Sequence, residues 1–202
     1  MNYELITALV AFSFVSSGTP GPNNLMLLAS GANFGLRRTA PHLLGVVIGF
    51  TIMIMLVGIG LMQLFTAVPA TYWILKTASI AYLLYLSWKI ATAAPFGDHP
   101  EYAKIKPKPF TFVQAALFQW VNPKAWTMAL TAISAYTPPS HPWRSVFLVA
   151  IVFGSITLPS SGVWVVAGTQ VRKVLDAPRK LRVFNLTMAL LLIGSLYPIL
   201  FE

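Results

Sequence analysis

The sequence predicts an all-α, polytopic membrane protein: six transmembrane helices forming two inverted three-helix repeats, with the first and fourth helices broken. Three observations carry this expectation. The 202 residues are 56% hydrophobic and only 9% charged, against about one quarter charged in a typical soluble domain. Apolar runs near the ~20 residues that span a bilayer recur along the chain. Two of those runs contain Pro, Gly and Asn clusters, at Gly18-Thr19-Pro20-Gly21-Pro22-Asn23-Asn24 and at Asn122-Pro123-Lys124.

The first run covers residues 5–34. As one continuous helix it would measure about 45 Å, against about 30 Å of hydrocarbon. The Pro and Gly residues predict a break instead, with one half-helix ending near Ser17 and another starting at Pro22, where the missing N–H of proline costs nothing. Gly31 and Gly35 form a small-xxx-small pair suited to close helix contact, and the run ends at Arg37-Arg38. The second run, 41–65, opens on Pro41 and carries a similar pair, Gly45 and Gly49. A short neutral turn, 66–71, leads to the third run, 72–91, in which Lys76 is one turn from the interface and snorkels. Residues 94–109 are polar and proline-rich and form the midpoint loop. The fourth run, 110–136, is broken at Asn122-Pro123-Lys124. The fifth, 145–170, holds Pro159-Ser160-Ser161-Gly162, a second hinge or a site wall. The sixth spans 183–201. The chain is expected to be a single transporter domain over residues 1–202, with repeat one at 1–93, a cytoplasmic loop at 94–109 and repeat two at 110–202.

Charge sets the orientation. Arg37, Arg38, Lys89, Lys104, Lys106, Lys108, Arg172, Lys173, Arg179, Lys180 and Arg182 fall on one side, eleven of the fourteen Lys and Arg residues. That side is cytoplasmic by the positive-inside rule, which places both termini in the periplasm. Tyr72, Trp73, Tyr136, Trp143 and Tyr197 lie where an outer aromatic belt belongs.

An odd number of runs on each side of the midpoint inverts the second half. Interrupted spans at matching places in inverted halves point to a transporter site. Pro22 and Pro41 recur as Pro123 and Pro142 at the same offset. Irregular backbone persists in hydrocarbon only where protein or a watery cavity satisfies it. The second half-helices begin with free N–H groups that favour an anion, and Lys124 adds a full positive charge. Free carbonyls at residues 16–18 and 120–122 would receive an ammonium. The expected substrate-binding residues are therefore Pro20, Gly21, Pro22, Asn23, Asn24, Asn122, Pro123 and Lys124, holding a zwitterionic amino acid. A pair of packing kinks, with Lys124 capping carbonyls beside Pro123, is the competing explanation. Trp120 and Trp126 flank the second break as packing residues, with closure of one over a ligand as the alternative.

Other functions are disfavoured by what the spans contain. The net charge of +9 is gathered in loops between apolar runs, so nucleic acid is not an expected partner. Cysteine is absent, which removes thiolate catalysis and thiolate metal sites. His42 lies at a cytoplasmic interface, and His99 and His141 in loops, without metal-ligand spacing. All five acids are terminal or in loops, and no span holds a nucleophile–base pair. The expectation is a non-enzyme without cofactor, whose partners are an amino-acid substrate and the lipid bilayer; a homo-oligomer is compatible with the sequence. A passive channel for small polar solutes is the alternative function.

Several motifs also resemble those of a known family. Gly18-Thr19-Pro20-Gly21-Pro22-Asn23, Ala29-Ser30-Gly31 and Gly35-Leu36-Arg37-Arg38 resemble the opening of the lysine exporter (LysE/RhtB) family. Asn122-Pro123-Lys124-Ala125 and Tyr82-Leu83-Leu84-Tyr85-Leu86 with Trp88-Lys89 are similar to its later spans. The resemblance covers the whole chain and implies a six-span exporter of amino acids or related metabolites in the bacterial inner membrane. Ser79 and Ser87 stand where that family commonly has glycine. Gln119-Trp120-Val121 and Trp126-Thr127-Met128 are an uncommon polar and aromatic mix. The lack of an acid within the spans leans the substrate toward neutral amino acids.

Overall fold

The structure is a computed structural model that describes residues 3–61, 67–68, 70–93, 108–138, 142–175 and 177–197. The expected midpoint loop, apart from its last two residues, lies outside the described residues, as do His99, His141, Lys104, Lys106 and Pro69. Eight α-helices are described: α1 (Tyr3–Gly18), α2 (Pro22–Phe34), α3 (Leu36–Leu56), α4 (Ala70–Ala91), α5 (Phe112–Phe118), α6 (Pro123–Tyr136), α7 (Pro142–Val174) and α8 (Pro178–Gly194). A π-helical turn, Val57–Leu61, extends α3, and a 3-10 turn, Gln119–Val121, ends α5. No strand occurs among the described residues.

Both expected breaks are present. α1 and α2 meet at an angle of 54°. Pro22 is the first residue of α2, and Pro123 the first of α6. α5 opens with a reciprocal cap: the Gln114 amide donates to Thr111 Oγ1 at 3.2 Å, and the Thr111 amide to Gln114 Oε1 at 3.1 Å.

Several boundaries differ from the sequence expectation. The first run ends at Phe34, as its expected span of 5–34 had it, but Arg37-Arg38 do not terminate it. Gly35 turns the corner at φ 79°, a left-handed conformation open to glycine, so it is a hinge point rather than half of a packing pair. Arg37 and Arg38 belong to the first turn of α3, where the Arg38 guanidinium sits 5.5 Å from the Phe34 ring centroid. Pro41 consequently lies inside α3 instead of opening it. α7 continues unbroken through Pro159, so that stretch is no hinge here. α8 starts at Pro178, which brings Arg179, Lys180 and Arg182 out of the loop and into its first turns. At the α2–α3 and α7–α8 corners a glycine and a proline, Gly35 and Pro178, decide the boundary, while the charges ride on the helix end.

Packing follows a pattern expected in lipid, with apolar side chains outside and many small or polar ones within. Val10, Phe14, Ile48, Ile52, Leu84, Phe147 and Leu190 are exposed, as is normal for a surface that faces acyl chains. Ser13, Ser17, Asn24, Ser30, Asn33, Thr39, Gln119, Asn122, Thr157, Ser161 and Asn185 are buried. Leu36–Gly60 and Pro142–Val174 are long and apolar enough to cross a membrane, and the bent α1–α2 pair adds a third span if counted as one. Trp73, Trp143 and Tyr197 are exposed, and Lys76 Nζ lies 5.7 Å from the Trp73 ring centroid.

α7 is the central post. It packs against α1, α2 and α3, while α3 also packs against α5, and α4 pairs with α8. A Cβ at Gly31 would strike the Val165 carbonyl, and one at Gly168 would strike the carbonyl of Leu28, so α2 and α7 touch backbone to backbone. Gly45 and Gly49 admit α5 in the same way. Ser79 and Ser87 of α4 are buried and return their hydroxyls to the carbonyls of Leu75 and Leu83, a self-satisfied arrangement that suits apolar surroundings. Phe153 fixes the wall on one side of the breaks, edge-on to Phe12 and Phe50 at centroid distances of 5.9 and 5.6 Å. Gly168→Leu is expected to separate α2 from α7 and destabilise the fold by at least about 1–3 kcal/mol, the usual range for overpacking; thermal unfolding of the purified protein in detergent checks this, and an unchanged Tm would refute the close contact.

Candidate functional site

The breaks in α1–α2 and α5–α6 lie together against α3 and α7. A cleft between them is lined by Ser16, Ser17, Gly21, Asn23, Asn24, Val46, Phe50, Asn122, Lys124, Ala125, Met128, Thr157 and Ser161. Of the expected site residues, Gly21, Asn23, Asn24, Asn122 and Lys124 line it. Pro20, Pro22 and Pro123 shape the backbone around it without lining it. The volume open to the centre of a water-sized sphere is about 30 Å³. One water needs about 10–15 Å³ on that measure, so this space takes about two waters.

The first break leaves carbonyls at the end of α1 that cannot be bonded within the helix. Side chains from three elements satisfy them. Asn24 Nδ2 donates to the carbonyls of Ser17 at 2.7 Å and Thr19 at 2.9 Å. Trp164 Nε1 donates to the Gly18 carbonyl at 3.0 Å. Lys124 Nζ donates to the Thr19 carbonyl and hydroxyl, both at 2.8 Å, and to the Pro20 carbonyl at 3.2 Å. Asn24 Oδ1 in turn accepts from Ser161 Oγ at 3.0 Å. Both donors and the acceptor of Asn24 are thus engaged within the protein.

The second break is held differently. Asn122 caps α6, accepting from the Lys124 amide at 3.2 Å. The Trp120 carbonyl accepts from Trp126 Nε1 at 2.9 Å, and the two indoles meet at 70°, so both tryptophans are packing residues that brace the break. α2, by contrast, starts at Gly21 without a side-chain cap. The Lys124 side chain runs across Gly21 at this point.

The two breaks are tied crosswise. Asn23, the residue after Pro22, exchanges amide hydrogen bonds with Gln119 at the edge of the second break, at 2.8 and 3.1 Å. Lys124, the residue after Pro123, reaches Thr19 and Pro20 at the edge of the first. Each second half-helix therefore sends its second side chain to the opposite break.

With this geometry in view, the comparison with known proteins is direct. The LysE type translocator family matches residues 14–195. The chain belongs to that family. It is 30% identical over 194 residues to a protein of Escherichia coli O139:H28 (strain E24377A / ETEC) named cysteine/O-acetylserine efflux protein, covering 96% of each chain. Proteins of the same name from Escherichia coli (strain K12) and Shigella sonnei (strain Ss046) are 29% identical over the same share. No solved structure matches the chain significantly.

Several residues that build this translocator's cleft lie outside the two break motifs. Gln119, Ser17, Thr157, Ser161 and Trp164 all contribute. The signal for three of them is periodic: Thr157, Ser161 and Trp164 follow at intervals of four and three, which aligns them on one face of a helix. Pro159-Ser160-Ser161-Gly162 contributes Ser161 to the wall. His42, expected at an interface, is buried beside Phe110, with ring centroids 5.2 Å apart. Asn24→Leu is expected to destabilise the protein by about 1–3 kcal/mol, since it strips partners from buried carbonyls without changing side-chain volume much. A thermal melt in detergent that shifts by less than a degree would show those bonds to be dispensable.

Proposed function

We propose that this translocator is a secondary transporter that exports amino acids or related small zwitterionic metabolites across the bacterial inner membrane. The observation that carries the reading is the crosswise pairing of the two breaks around one polar cleft. The reading takes the chain as six spans in two inverted repeats, 1–93 and 110–202, with both termini periplasmic. Under that symmetry α1–α2 corresponds to α5–α6, α3 to α7 and α4 to α8. The mutual packing of α3 with α7 and of α4 with α8 supports it, as does the reciprocal reach of Asn23 and Lys124.

The substrate lies between the breaks. Pro20, Gly21 and Pro22 hold the backbone open, and the uncapped start of α2 with Lys124 favours a carboxylate. Asn23 and Asn24 with Asn122 and Pro123 complete the polar frame. Ser16, Ser17, Thr157 and Ser161 offer hydroxyls and no charge, a lining suited to a small neutral side chain. That agrees with the efflux substrates in the relatives' names, cysteine and O-acetylserine, which we take as the first compounds to assay. Alternating access follows if one half rocks against the other and opens the cleft to each side in turn.

Two experiments test the reading. In an efflux assay with the purified chain in proteoliposomes loaded with cysteine, Lys124→Ala is expected to lower transport at least tenfold, and Asn23→Ala several-fold. Full transport by both variants would sink the site assignment. For topology, the absence of native cysteine allows single-cysteine labelling: Val68→Cys should label from the periplasm and Arg179→Cys from the cytoplasm, and labelling of both from one side would refute the orientation.

A further inference from the structure

Lys124 does more in this structure than wait for a carboxylate. Its ammonium is seated on three oxygens of the opposite break: the Thr19 carbonyl and Thr19 Oγ1 at 2.8 Å, and the Pro20 carbonyl at 3.2 Å. The side chain gets there by crossing Gly21 so closely that a Cβ at that position would lie 2.6 Å from Lys124 Cδ and 3.2 Å from Nζ. The oxygen cage and the lysine stem are shaped to each other. Gly21 can take no side chain while Lys124 remains in place.

We propose that Lys124 is a tethered stand-in for the substrate's ammonium, and that the cage of Thr19 and Pro20 oxygens is the amine subsite. This deepens, and rests on, the export reading given above. Here the lysine donates to the Pro20 carbonyl and shares the Thr19 carbonyl with Asn24, and both cage residues lie exposed at the edge of the break beside the cleft. When an amino acid enters, its ammonium takes the cage and its carboxylate takes the displaced lysine. Every charge and every carbonyl keeps a partner, and only a flexible four-carbon stem has to swing.

The exchange makes the site selective for molecules that carry both groups. A primary amine without a carboxylate would displace Lys124 and leave its ammonium unpaired. A carboxylate without an amine would draw Lys124 away and leave the cage without a cation, with only the Thr19 carbonyl still bonded by Asn24. Only a zwitterion gives both the cage and the displaced lysine a charged partner, and charge-assisted hydrogen bonds are the stronger ones. The same logic accounts for the absence of any acid in the cleft: a resident carboxylate would hold Lys124 permanently and end the competition.

The experiment reads binding and transport separately. Thermal shifts of the purified full chain are measured with methylammonium as the bare amine probe, and with cysteamine, N-acetyl-L-cysteine and L-cysteine. Wild type should respond to L-cysteine and require at least a hundredfold more of the other three. In Lys124→Met the cage is vacant, so methylammonium and cysteamine should bind at least tenfold more tightly than to wild type, while L-cysteine weakens at least tenfold. Gly21→Ala, which keeps the lysine but pushes it off the cage, should gain the same response to methylammonium, and it decides the matter if Lys124→Met does not fold. If neither variant gains amine binding, Lys124 is a structural cap and the proposal is overturned. Wild type that moves no amino acid in proteoliposomes would instead overturn the export reading, whatever the methylammonium arm shows.

Discussion

A backbone broken inside a membrane must find hydrogen-bond partners from the protein itself, and the rest of this structure is arranged around that requirement. Four consecutive carbonyls, from Ser17 to Pro20, are satisfied by Asn24, Trp164 and Lys124. Those three residues come from α2, α7 and α6. The break therefore draws three helices to one place, and the close approach of α2 and α7 at Gly31 and Gly168 is the packing that permits it. Asn24 cannot reach Ser161, nor Trp164 the Gly18 carbonyl, unless α7 lies almost against α2.

The same requirement explains why structure and function are hard to separate at this site. A kink in one helix would need only its own caps. Here the donors come from the opposite break, so each half of the chain completes the other. Asn23 with Gln119 is a neutral, reciprocal tie, while Lys124 with Thr19 and Pro20 is a charged one with donors and acceptors that a ligand could replace. Asn24 belongs to the frame, because its polar atoms are all committed within the protein. Lys124 is held by neutral oxygens at the end of a flexible stem.

Membership of the LysE type translocator family fits this division. A small neutral lining, an uncapped helix start and a single lysine are a sparse set of parts for recognising a ligand. In the proposed site they would serve a compact zwitterion, whose two charges are adjacent and need one partner each.

Much of the architecture is legible in the sequence. Apolar run lengths, the scarcity of charge and the helix-breaking chemistry of Pro20, Pro22 and Pro123 act locally, through backbone geometry and the bilayer's intolerance of bare polar groups. They determine that the chain is helical, membrane-embedded and interrupted at two definite places. Helix ends are less legible, because Gly35 and Pro178 override the positions suggested by Arg37, Arg38 and Arg182. What only the tertiary structure decides is which groups meet. Nothing in the local sequence says that Lys124 lies on the Thr19 and Pro20 carbonyls, that Asn23 pairs with Gln119, or that Ser161 and Trp164 of an unbroken α7 close the first break. Those partners are 96 to 146 residues apart in the chain. Their meeting depends on the packing of helices whose contact surfaces are small and apolar, and so carry little signal of the partner they will choose.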